Sequence, residues 1–121
     1  MSQNIDVLAI ATLPEQDREA TMGQMFQQLL PLSAEQQKEA LGDLLRQMGE
    51  KASDQQYLDL CATNLKLAAM LPDATLKQFL AVRMQAVSEL PPALAERDRT
   101  LLRQALDQAD HAIGEKITRN M

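Results

Sequence analysis

Few residues of this chain are of the types that make or break bonds, and the most suggestive of them meet near the C-terminus. His111 is the single histidine, with Asp107 four residues before it and Asp110 adjacent. On one continuous helix Asp107 and His111 share a face, which is half of a metal site. A zinc or di-iron centre needs three or four ligands at defined spacing. The chain offers no second histidine and no Glu-x-x-His pair. The pattern therefore predicts an exposed histidine paired with a carboxylate near a helix C-terminus, where its charge suits the dipole.

The one cysteine, Cys61, forms no internal disulfide and stands among Leu58, Leu60 and Leu65. A thiol in such apolar company has a raised pKa and is inert, so Cys61 is expected in the core. The sequence contains no Cys-x-x-Cys, no Gly-x-Ser-x-Gly and no Gly-rich phosphate loop, and only four glycines from which to build one. An active site would have to be assembled from carboxylates on separate helices, such as Asp59, Asp73 or Glu89. No catalytic residue, metal or cofactor is assigned, and the chain is not expected to be an enzyme.

Arginines are the other candidates. Arg97, Arg99 and Arg103 form a cluster, but Glu96–Arg99 and Arg103–Asp107 fall at helical spacings that neutralise it locally. Arg83 differs, because it stands within an apolar stripe formed by Leu76, Phe79, Leu80 and Val87. A buried arginine requires a carboxylate or several carbonyls. Either its stem packs while its head reaches water, or it forms a salt bridge to a partner or to an acid of the first half.

The elements that must hold these residues read as helices. Four Leu-Pro pairs, at 13–14, 30–31, 71–72 and 90–91, each mark one helix ending and another beginning. Ser33 with Gln36 and Ser53 with Gln56 have the spacing of capping boxes, and Gly49 is a natural stop before Ser53. Six helices result, at about 3–12, 14–29, 34–48, 54–70, 74–89 and 92–117. The fourth is apolar over a wide arc and is expected at the centre of the bundle. Met22, Met25, Met48, Met70 and Met84 fall on apolar faces as core filling or as an adaptable binding surface, and Gln27, Gln28, Gln36, Gln37, Gln55 and Gln56 on the solvent side.

The Leu-Pro pairs repeat at offsets near 58–60, and Leu44-Leu45-Arg46-Gln47 recurs as Leu101-Leu102-Arg103-Gln104. Two similar three-helix halves, 1–50 and 51–121, are one reading, and chance in a Leu-rich helical composition is the other. The first segment crowds Ile5, Val7, Leu8, Ala9 and Ile10 together. It either packs on its own domain or serves as a dimer contact or docking segment through Ile5, Leu8 and Ile10.

Composition sets the outer limits. Of 121 residues 20 are Leu, 17 Ala and 14 Gln, with three aromatics and no Trp. Helix formers so outnumber strand formers that the fold class is all-α, a compact bundle of five or six helices in a single domain. The net charge is −5, concentrated in residues 1–50, which carry eight acidic and three basic side chains. That acidic half repels phosphates, so nucleic acid is not an expected partner. No stretch reaches the ~20 apolar residues of a membrane span. The start lacks a basic signal-peptide region, and a cytoplasmic location is expected.

The repeated Leu-Pro, acid-rich, Leu-Leu pattern resembles the superhelical N-terminal domains of magnesium-transporter proteins, although that family's acidic metal cluster has no counterpart here. Residues Leu76–Met84 are similar to a helix of the flagellar export chaperones. Neither likeness assigns a role to a residue. The expected function is a non-enzymatic protein–protein interaction module, an adaptor, small chaperone or regulator, with a protein partner or a second copy in a homodimer. Ile5, Leu8, Ile10 and Arg83 are its candidate contact residues. The alternative is a bundle that holds a small apolar ligand among Leu, Met and Ala side chains.

Overall fold

The computed structural model describes residues 6–121, and among these every regular element is a helix. The helices are α1 (Val7–Ala11), α2 (Glu15–Leu29), α3 (Ala34–Lys51), α4 (Asp54–Ala68), α5 (Asp73–Ser88), α6 (Pro92–Gln108) and α7 (His111–Arg119). Their starts follow the local signals. Pro14, Pro72 and Pro91 occupy the position just before α2, α5 and α6, each in extended geometry. Ser33 and Ser53 form complete capping boxes with Gln36 and Gln56.

Alternate helices are neighbours. α1, α3 and α5 lie side by side in one layer, α2, α4 and α6 in the other, and α7 folds back on α4. The central helix is α4, as its wide apolar arc predicts: it packs against α1, α2, α6 and α7 and buries Tyr57, Leu58, Leu60, Cys61 and Leu65.

Two boundaries differ from expectation. The run 92–117 is two helices, because Ala109 and Asp110 turn extended between α6 and α7. Asp favours helix starts over interiors, and the break lets α7 return to α4. The expected stop at Gly49 is not used, and α3 runs on to Lys51. Gly49 instead admits a close neighbour: a Cβ built there would stand 2.9 Å from Leu94 Cδ2 of α6.

The helix ends are closed in an uncommon way. No described residue has a positive φ, so none of these helices ends in the left-handed glycine cap common elsewhere. Side chains from other helices donate to the orphan carbonyls instead. Arg18 Nη1 reaches Leu13 O at 3.1 Å after α1. Gln37 Nε2 reaches Leu30 O and Leu32 O at 3.1 and 3.2 Å after α2. Arg97 Nη1 reaches Met48 O and Gly49 O at 3.2 and 2.8 Å, and its Nη2 reaches Ala52 O at 2.6 Å, at the end of α3. Lys116 Nζ reaches Ala69 O and Leu71 O at 2.8 and 2.5 Å, closing α4. Gln37, expected on the solvent side, is buried for this purpose.

The two halves are not equivalent in their helix starts, and burial disagrees at the recurring tetrapeptide. Leu45 is buried and Leu44 half-buried, whereas in the recurring tetrapeptide Leu101 is buried and Leu102 half-buried, so the buried position shifts by one. Pro91 directly precedes its helix, while Pro31 lies in a turn two residues before Ser33.

Candidate functional site

The most tightly organised polar cluster ties α4, α5 and α6 together. Asp98 on α6 is fully buried and accepts from Arg83 of α5 through two bonds, Nη1 to Oδ2 at 3.0 Å and Nη2 to Oδ1 at 2.9 Å. Tyr57 of α4 donates its hydroxyl to Asp98 Oδ1 at 2.5 Å. Arg97 covers the Tyr57 ring at 5.3 Å from its centroid and pairs with Asp54 at 3.0 Å. Burial would lower the Arg83 pKa, but Asp98 outweighs it and the net shift is upward. Burial and the Asp98 charge push the Tyr57 hydroxyl well above its ordinary value. Burial likewise pushes the Cys61 thiol up to about 12, only partly offset by Arg83. These groups hold charge and protons firmly, which suits a brace between helices.

Beside this brace lies an open groove of about 1300 Å³ between the two layers. Arg83 and Cys61 belong to its inner wall. Its apolar lining includes Met22, Met25, Phe26 and Leu29 of α2 and Leu44 of α3. Phe26 and Phe79 meet across the layers with ring centroids 5.2 Å apart, and both line the groove. Large apolar side chains left at the surface are normally scattered. Here exposed Leu32, Met84 and Met121 share one concavity with the half-buried leucines and methionines, and Met70 alone of the exposed large apolar residues described stands outside it. Asn64 adds a polar point to the wall, since its buried Oδ1 accepts no hydrogen bond among the described residues.

The candidate contact residues divide. Ile5 lies outside the described residues. Leu8 is half-buried and lines the groove. Ile10 is buried in the chain's own core with Val7 and Ala11, so it presents no surface to a partner. Among the described residues α1 spans Val7–Ala11 behind the Asp6 cap and buries Val7, Ile10 and Ala11, while the expected start at 3–5 lies outside them. Arg83 pairs with Asp98 on the adjoining α6 rather than with an acid of the first half. Met70 and Met84 are exposed rather than core-filling.

The remaining sequence candidates stand apart. His111 is exposed and opens α7 rather than closing a helix, with Glu115 at 3.4 Å; the break before it removes the shared face with Asp107. No group of three or more metal-ligating side chains occurs among the described residues. Asp59 accepts from Gln55, Asp73 from Asn120, and Glu89 pairs with Lys38. The pairs Glu96–Arg99 and Arg103–Asp107 do not form among the described residues. No helix among the described residues is long and apolar enough to cross a membrane.

Tyr57 and Asp98 carry the brace, and sequence reasoning misses both. An acid at 98 between Arg97 and Arg99 reads as a solvated charge, although the Ala95, Asp98, Leu101 and Ala105 spacing places it on the buried stripe of α6. No family model matches the chain, and no curated protein or solved structure matches it either.

Proposed function

We propose that this chain is a non-enzymatic interaction module that receives an apolar segment of a protein partner in the groove between its helix layers. One observation carries the reading: exposed Leu32 and Met84 join half-buried Met25, Leu29 and Leu44 in a single concavity. Apolar area left uncovered in a concave site supplies binding free energy of roughly 25 cal/mol per Å² before the costs of association. Methionine side chains adapt their shape to what they meet, which suits a surface that must pack against another chain.

The test compares wild type with a Leu32→Glu/Met84→Glu variant, both positions being exposed and tolerant of charge. Each protein is used as bait in a lysate of its own source. Met70→Glu, which is exposed but outside the groove, serves as control. A stoichiometric partner held by wild type and by the control, and lost from the groove variant, supports the reading. Retention by the groove variant, or no stoichiometric partner for any bait, counts against it.

A second reading rests on Asn64. Its unpaired Oδ1, beside the apolar side chains of Leu60, Leu65 and Ala68 in the groove lining, would suit a small apolar ligand with one hydrogen-bond donor. Long-chain alcohols would then raise the melting temperature of wild type but not of Asn64→Leu.

A further inference from the structure

The rim of the groove is charged as well as concave. Glu39, Asp43 and Glu50 recur along α3 at intervals of four and seven, so they stand in one row on the helix. All three are exposed, border the groove, and form no ion pair among the described residues. Asp6 borders the same groove at the start of α1. Against these four carboxylates the rim sets Arg46 and Lys51, and the charge of Arg83 is already matched by Asp98. The mouth of an apolar groove thus carries an excess of uncommitted negative charge.

Given the interaction reading of this groove, on which the inference rests, we infer that the occupant is a basic amphipathic α-helix of the partner. From Glu39 to Glu50 the acidic row extends roughly 16 Å, or about three helical turns. The occupant therefore presents an apolar stripe at i, i+3 or i+4, and i+7 to Met25, Leu29 and Leu44, with Lys or Arg on the side that meets α3. A strand is disfavoured because no sheet edge exists among the described residues to pair with it. Ridges of α2 and α3 border the groove, and the ridges of another helix pack into such a surface. Anionic lipid is disfavoured because its surface repels carboxylates.

The probe is a synthetic peptide of about 15 residues, near the length at which a helix holds in water, with Leu on one face and Lys beside it. A second peptide replaces every Lys by Glu. The chain contains no Trp, so one Trp in each peptide reports binding by its fluorescence. The Lys peptide is expected to bind at least about tenfold more tightly than the Glu peptide at low salt, with the ratio narrowing as salt is added. The Glu39→Lys/Asp43→Lys/Glu50→Lys protein, checked for helicity by circular dichroism, is expected to reverse the preference. Equal affinities, an unchanged preference in the triple variant, or no binding of either peptide overturns the inference about the occupant. Loss of peptide binding in Leu32→Glu/Met84→Glu keeps the groove reading in place even when charge proves irrelevant. Unchanged binding in that variant removes the groove from both readings.

Discussion

Arg83 and Asp98 face each other through two parallel hydrogen bonds at 2.9 and 3.0 Å, where the carboxylate is 1% exposed and the guanidinium borders the groove. Neither charge would be tolerated there alone. Asp98→Ala leaves Arg83 and the Tyr57 hydroxyl without their acceptor and is expected to lower stability by about 3–5 kcal/mol, a large share of a typical domain's total. An Arg83→Met/Asp98→Leu chain removes both charges and should recover most of that loss. Urea unfolding of the single and double variants checks the pair; a double variant as weak as the single one would contradict the argument.

Cys61 gives the pH dependence. Its folded pKa is raised from 9.0 to about 12, so the folded state favours the protonated thiol. Its contribution is complete below pH 9 and is lost as pH rises toward 12, because the unfolded chain ionises first. By pH 10 the loss amounts to about 1 kcal/mol, and the raised Tyr57 pKa adds to it above pH 10. Urea midpoints should fall further between pH 7 and 10 for wild type than for Cys61→Ala. In the folded protein at pH 8 the thiol should resist iodoacetamide that modifies it readily once unfolded.

Three of the four glycines, all inside helices, separate flexibility from packing. A Cβ added at Gly23 or Gly42 would meet nothing within 4 Å, so Ala at either site is expected to raise stability by about 0.5–1 kcal/mol. At Gly49 the new methyl meets Leu94 Cδ2 at 2.9 Å, and Leu94 must shift. Gly49→Ala should therefore fall below the other two variants, and thermal melts of all three test the ranking.

Arg97 serves four acceptors at once, three carbonyls at the end of α3 and the Asp54 carboxylate. Arg97→Lys keeps the charge but not the fork and should lose about 1–2 kcal/mol, with Arg97→Ala losing more. Amide exchange at Ala52, whose N–H donates to Met48 O, would report local fraying at that end.

Much of the fold is legible in the sequence because its signals are local. Ser33–Gln36 and Ser53–Gln56 complete their capping boxes within one turn, and the wide apolar arc of α4 predicts its central place. The α6–α7 break is hidden because the apolar positions Leu102, Ala105, Ala109 and Ile113 continue a helical stripe across it. The brace is less accessible. Tyr57 and Asp98 are 41 residues apart, and no spacing rule links a tyrosine to an acid at that distance. Arg97 illustrates the same limit: nearby acids predict a solvated, neutralised cluster, whereas distant carbonyls at the end of α3 claim the side chain. Concavity is also a property of packed layers, so in the sequence the groove is visible only as methionines and leucines on separate helices.

The cross-helix capping of helix ends bears on how the chain is made. Arg97 donates to carbonyls 45 to 49 residues upstream, and Lys116 to carbonyls 45 and 47 residues upstream. A ribosome releases α3 and α4 long before it releases these donors. Until then the carbonyls of Gly49, Ala52, Ala69 and Leu71 lack these donors and turn to water, and both ends fray. Arg97 and Lys116 thus act as late fasteners of helices synthesised much earlier, and the ends of α3 and α4 are secured only once both donors have emerged.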